Sequence, residues 1–123
     1  MSPSRTPAAW ACLAGVLALL ALHLAWHGSL AWRAQPAPVL LLIFGLPLLA
    51  IAAGLILRRP SARFWSGVAA LVTFCHGIAE AWAIPAARVP GLLEMLLSVA
   101  VVLASSWDGL RARFGAGRRR RSV

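Results

Sequence analysis

The sequence predicts an all-α integral membrane protein: four transmembrane helices packed as an antiparallel bundle with both termini in the cytoplasm. Three observations carry that prediction. Of 123 residues, 61% are apolar and 12% charged, whereas soluble domains average about 25% charged. The apolar residues gather into four runs, 8–32, 38–57, 64–84 and 91–107, each close to the roughly 17–25 helical residues that cross a hydrocarbon core about 30 Å thick. The breaks between runs are short and hold proline, which cannot continue a helix without losing a backbone bond, so successive helices must return directly.

Met1–Pro7 forms a short N-terminal tail. The first run, Ala8–Trp32, follows Arg5 and invites comparison with a cleaved signal peptide. Signal cores are only about 7–15 residues long; this run is longer, contains His23 and His27, and lacks a small-x-small cleavage site. It reads as a retained helix. The second, Pro38–Leu57, contains Pro47, which leaves the Ile43 carbonyl without its usual donor and predicts a kink. The third, Phe64–Ile84, lies between Arg58-Arg59-Pro60-Ser61-Ala62-Arg63 and Pro85-Ala86-Ala87-Arg88-Val89-Pro90. The fourth is Gly91–Trp107, and residues 108–123 are expected as a basic cytoplasmic tail.

The net charge of +9 comes from twelve arginines set against Glu80, Glu94 and Asp108. Ten fall on one side of the predicted bundle: Arg5, Arg58, Arg59, Arg63, Arg111, Arg113, Arg118, Arg119, Arg120 and Arg121. Only Arg33 and Arg88 fall on the other. The positive-inside rule assigns the ten to the cytoplasm. Trp10, Trp65 and Trp107 fall at cytoplasmic helix ends and Trp32 and Trp82 at the opposite ends, the depths that suit an amphipathic indole. The partner implied first is the bilayer itself. Arg58, Arg59, Arg63 and Arg118 to Arg121 suit anionic headgroups at the cytoplasmic face, at about 1 kcal/mol per arginine, or serve topology alone. No folded basic module accompanies the arginine run, so nucleic acid is not expected as a partner.

Ionisable side chains inside a membrane cost about 2.5–3.5 kcal/mol each and need a reason. There are five: His23, His27, His76, Glu80 and Glu94. Counting along the helices places His27, Glu80 and Glu94 in an outer layer, with His23 and His76 one turn deeper. His23 and His27 are four residues apart, as are His76 and Glu80, so each pair shares a helix face. Thr73 and Gly77 extend the third helix's face, and Gly91, Glu94, Ser98 and Ser105 form a small, polar stripe on the fourth. Such stripes let backbones approach and hydrogen-bond, and the two are expected to face each other. Two readings of the cluster stay open. One is interhelical bonding; the other is a functional site, whether proton relay, metal or haem site, or small polar ligand site. A Glu80–Glu94 pair would share a proton, unless His76 or Arg88 neutralises one of them.

No HExxH, CxxC, phosphate-binding glycine loop or GxSxG elbow is present, so neither a catalytic residue nor a metal or other cofactor is assigned. His23, His27 and His76 leave a metal or haem redox role as the weakest alternative. Cys12 and Cys75 lie at depths too different for a disulfide and are expected to be free, buried thiols.

The stretch Phe74-Cys75-His76-Gly77-Ile78-Ala79-Glu80-Ala81-Trp82, then Pro85, then Leu92-Leu93-Glu94 with Leu97-Ser98, resembles the DUF2069 family of small bacterial inner-membrane proteins, catalogued as a domain of unknown function. Leu24-Ala25-Trp26-His27 is similar to that family too. The resemblance covers about Leu13 to Arg113, its most specific part being the His-Gly-x-x-Glu-Ala-aromatic run. It implies a four-helix bacterial inner-membrane protein and brings no activity with it; the Arg118 to Arg121 run lies outside the shared pattern. The expected function is therefore a non-enzymatic accessory or structural membrane component, acting alone, as a homo-oligomer or with a membrane partner protein. The alternative is a proton-coupled or small-solute transport component built on His76, Glu80 and Glu94.

Overall fold

The structure, a computed structural model, describes residues 4–28 and 38–121; at Arg119 it describes the backbone only. All the regular structure of the described residues is helical: α1 Pro7–His27, α2 Pro38–Ile56, α3 Ala62–Ala83, a single 3-10 turn Pro85–Ala87, and α4 Arg88–Arg121. Four helices are long and apolar enough to cross a membrane. Trp32 and Arg33, used above for depth and orientation, lie outside the described residues, as does the expected end of the first helix beyond Gly28.

Local chemistry accounts for the helix ends. Thr6 is extended and its hydroxyl accepts from the Ala9 N–H at 3.2 Å, while Pro7 occupies the first helical position of α1; both are favoured N-terminal devices. Helix α2 is helical on both sides of Pro47 and ends in a Schellman motif, with Arg59 N–H donating to the Gly54 carbonyl at 2.8 Å and Arg58 N–H to the Leu55 carbonyl at 3.2 Å. The left-handed residue of that motif is usually glycine; here it is Arg58, at φ 57°. Ile84, held extended ahead of Pro85, ends α3.

Helix α4 departs from expectation at both ends. It begins at Arg88, three residues before Gly91, because Pro90 lies in the first helical turn, where a proline forfeits no bond. Arg88 is thus helical and exposed rather than part of the connection. At the other end, the segment expected as a tail is helical through Arg121; it is proline-free and rich in arginine, leucine and alanine, all good helix formers. The 34 residues of α4 span about 50 Å, some 20 Å more than a hydrocarbon core.

Packing is closest between α3 and α4. Cβ atoms built at Gly77 and Gly91 would each meet the other's carbonyl oxygen at 2.7 Å, and one at Gly67 would meet the Ser105 hydroxyl at 3.0 Å. Between these points the Thr73 and Ser98 hydroxyls lie 2.8 Å apart. The small and polar stripes of the two helices therefore do meet, and residue numbers rise along α3 as they fall along α4. Helix α1 closes on α4 where Gly15 receives Val101, whose methyl would lie 2.6 Å from an added Cβ. Val16, Leu19, Leu48, Ala52, Ala70 and Val101 form the centre of the core. Large apolar residues elsewhere point outward, among them Leu42, Leu49, Leu71 and Leu96, each more than half exposed, as lipid-facing positions are.

Cys12 is buried, with its sulfur 3.2 Å from the Ser66 hydroxyl. Cys75 is exposed, contrary to the expectation of two buried thiols: it lies two residues from both Thr73 and Gly77, on the opposite face of α3 from the α4 seam.

Candidate functional site

Glu94 lies at the centre of the intramembrane cluster and is fully buried. One carboxylate oxygen, Oε2, is 2.8 Å from His76 Nδ1 on α3. The other, Oε1, is 2.9 Å from His23 Nε2 on α1, at ion-pair distance but bent away from good hydrogen-bond geometry. The carboxylate accepts; it therefore selects the tautomers, or the doubly protonated forms, that place hydrogen on His76 Nδ1 and His23 Nε2. One side chain thereby joins three helices.

The early start of α4 explains a correction in depth. Glu94 lies six residues, about 9 Å, inside its helix, level with His76 rather than one turn above it. Both its oxygens are engaged by imidazoles, where a Glu80–Glu94 pair was expected, and Arg88 is exposed. Glu80 is half-buried, one turn farther along α3.

Aromatic rings wall the cluster. Phe44 of α2 lies flat against His23, with centroids 5.1 Å apart, and tilted against His76 at 4.3 Å. Trp26 stacks on His27 at 4.6 Å and packs against His76 at 5.3 Å; Trp26, His23 and His27 are all fully buried. His23 Nδ1, His76 Nε2 and the Trp26 indole N–H are buried with no hydrogen-bond partner among the described residues. In such a low-dielectric setting an unsatisfied polar group is costly, so these three atoms mark where a proton, a water or a small polar group would be received. No group of three or more His, Cys, Asp or Glu side chains among the described residues has an arrangement that holds a metal ion.

Phe44, Pro47 and Trp65 help line an apolar crevice of about 230 Å³ between α2 and α3 that reaches Thr73. Phe44 thus separates this lipid-facing crevice from the imidazoles.

The candidate cluster expected from the sequence, His23, His27, His76, Glu80 and Glu94, included neither Trp26 nor Phe44. Trp26 carried a signal, being three residues from His23 on the same face. Phe44 carried none, because α2 is apolar all round.

A second polar layer joins the helices at the end where α1 begins and α4 passes Trp107. Arg63 donates to Asp108 at 2.7 Å and to the Ala104 carbonyl at 2.6 Å. Thr6 donates to Asp108 at 3.0 Å. These hydrogen bonds hold the Asp108 carboxyl below its ordinary range. Arg5 donates to the Leu55 and Ile56 carbonyls at 3.0 and 2.7 Å, satisfying the last turn of α2. Arg63, read above as a headgroup or topology residue, is therefore tied into the protein.

Against known proteins, one family model, described as "Predicted membrane protein (DUF2069)", matches residues 11–111. No curated protein and no solved structure matches.

Proposed function

Because the chain belongs to the DUF2069 family of predicted membrane proteins, we propose that it is a small, non-enzymatic accessory component of a bacterial inner membrane, whose buried Glu94 sets the packing of its helices. In this reading it is an antiparallel four-helix bundle with both termini cytoplasmic, acting through a membrane partner protein or a second copy of itself. The observation that carries it is the His23–Glu94–His76 bridge: a fully buried carboxylate whose two oxygens are engaged by side chains from two other helices. Such a group fixes which helices meet and in what register, a role well attested for buried polar residues. Orientation rests on the arginines, which crowd the end holding Arg5, Arg63 and the α4 extension. A fluorescent protein fused after Val123 is expected to mature and fluoresce, and an alkaline phosphatase fused there to stay inactive. The reverse pattern would overturn the orientation.

One observation favours a second reading, proton-coupled transport: the unpartnered nitrogens of His23 and His76 beside a buried carboxylate. Proteoliposomes holding the full chain and a pH-sensitive dye separate the two. The accessory reading expects dye traces equal to those of empty vesicles under imposed proton and cation gradients. A flux that disappears in Glu94→Gln would establish the transport reading instead.

A further inference from the structure

We propose that the arginine-lined pocket at the Arg5 end of the bundle is a phosphate site, filled by the headgroup of an anionic phospholipid. The pocket has a volume of about 290 Å³ and is lined by Arg5, Arg58, Arg59 and Arg63 together with Thr6 and Asp108. Four arginines thus line the pocket with one carboxylate, and much of that charge is already committed. Arg5 is held by two α2 carbonyls, and two of the Arg63 nitrogens by Asp108 and the Ala104 carbonyl. What remains is directional and positive. The Arg59 guanidinium has no hydrogen-bond or ion-pair partner among the described residues, and Arg63 Nε is buried without one. A phosphate oxyanion supplies the acceptors such a setting lacks, since guanidinium donors fit its oxygens in a planar fork.

Backbone conformation at Arg58 is an independent sign. Its left-handed φ of 57° lies at the helix-ending position where glycine is cheapest, yet the chain places there an arginine that lines this pocket. Strained backbone of this kind clusters at ligand sites. The surroundings argue for lipid as the carrier of the phosphate. Trp10 and Trp65, both more than half exposed, flank this end of the bundle as interfacial anchors do.

The test uses the full chain in detergent, exchanged against phosphatidylglycerol or phosphatidylcholine, with retained lipid counted by native mass spectrometry. Wild type is expected to retain phosphatidylglycerol preferentially, and the variant Arg58→Gly/Arg59→Gln to lose that preference by about tenfold. Glycine relaxes the backbone at residue 58, and the thermal midpoint of the variant is measured alongside: a lost preference with the midpoint within a few degrees of wild type is loss of the site and not of the fold. Arg120→Gln/Arg121→Gln removes the same charge from the α4 extension and should leave the preference in place. Equal losses in both variants would mean diffuse attraction and overturn the site. Displacement of the lipid by inorganic phosphate at comparable concentration would overturn its assignment to a lipid. Retention unaffected by Arg58→Gly/Arg59→Gln would overturn the proposal outright.

Discussion

Glu94→Ala is expected to lower the stability of the folded chain by about 3–5 kcal/mol, the usual cost of removing one partner from a buried ion pair. The substitution leaves His23 Nε2 and His76 Nδ1 buried and facing a void, beside nitrogens that already lack partners. Glu94→Gln retains one oxygen and gains an amide donor, so it should cost less, about 1–2 kcal/mol. Most informative is the triple replacement His23→Phe, His76→Leu, Glu94→Leu. Removing all the polar partners together removes the desolvation penalty along with the attraction, and stability should recover to near wild type. Thermal unfolding in detergent, followed by helical circular dichroism, measures all three. A Glu94→Ala loss no larger than the roughly 0.6 kcal/mol of an average interhelical hydrogen bond would show that the bridge does little for the fold.

The second large effect is expected at the α3–α4 seam. A Cβ at Gly77 would come 2.7 Å from the Gly91 carbonyl oxygen; one at Gly91 would come 2.7 Å from the Gly77 carbonyl oxygen and 2.9 Å from Ala81 Cβ. These obstacles are mostly backbone atoms, which no rotamer change can move, so the two helices must separate. Overpacking of this kind costs about 1–3 kcal/mol, and separation also lengthens the 2.8 Å contact between His76 and Glu94, which lies within one turn of both glycines. Gly77→Val and Gly91→Val should therefore approach the instability of Glu94→Ala, and each should add little to it, because all three break the same contact. Gly109→Ala, Gly115→Ala and Gly117→Ala meet nothing within 4 Å and should be neutral or stabilising by up to about 1 kcal/mol. If Gly77→Val were as benign as Gly109→Ala, the seam would not be the close contact described.

Legibility in the sequence differed by residue and by physical cause. The four spans could be read because hydrocarbon thickness imposes a length on every one of them, and the facing stripes because three- and four-residue spacing fixes a helix face. Pro90 misled, since proline stops a helix from within but is welcome in its first turn; that one residue displaced the start of α4 and lifted Glu94 a turn too high. The pairing of Glu94 with two histidines in place of Glu80 followed from that displacement. Phe44, the Arg5 cap on α2 and the Asp108–Arg63 bond could not be anticipated, because each depends on how different helices are rotated against one another, and spacing along one helix says nothing of that.

The bridge also bears on how the chain enters a membrane. Synthesis runs from the N-terminus, so α1 and α3, carrying His23 and His76, are made before Glu94. A lone carboxylate arriving in hydrocarbon would face an insertion cost of about 2.5–3.5 kcal/mol. Here it follows both histidines in the chain, on a helix that packs beside α3 along a seam of glycine and hydroxyl groups. In that order of synthesis the carboxylate of α4 meets imidazoles on helices made before it, so its pairing within the chain offsets the cost of accommodating it in lipid alone.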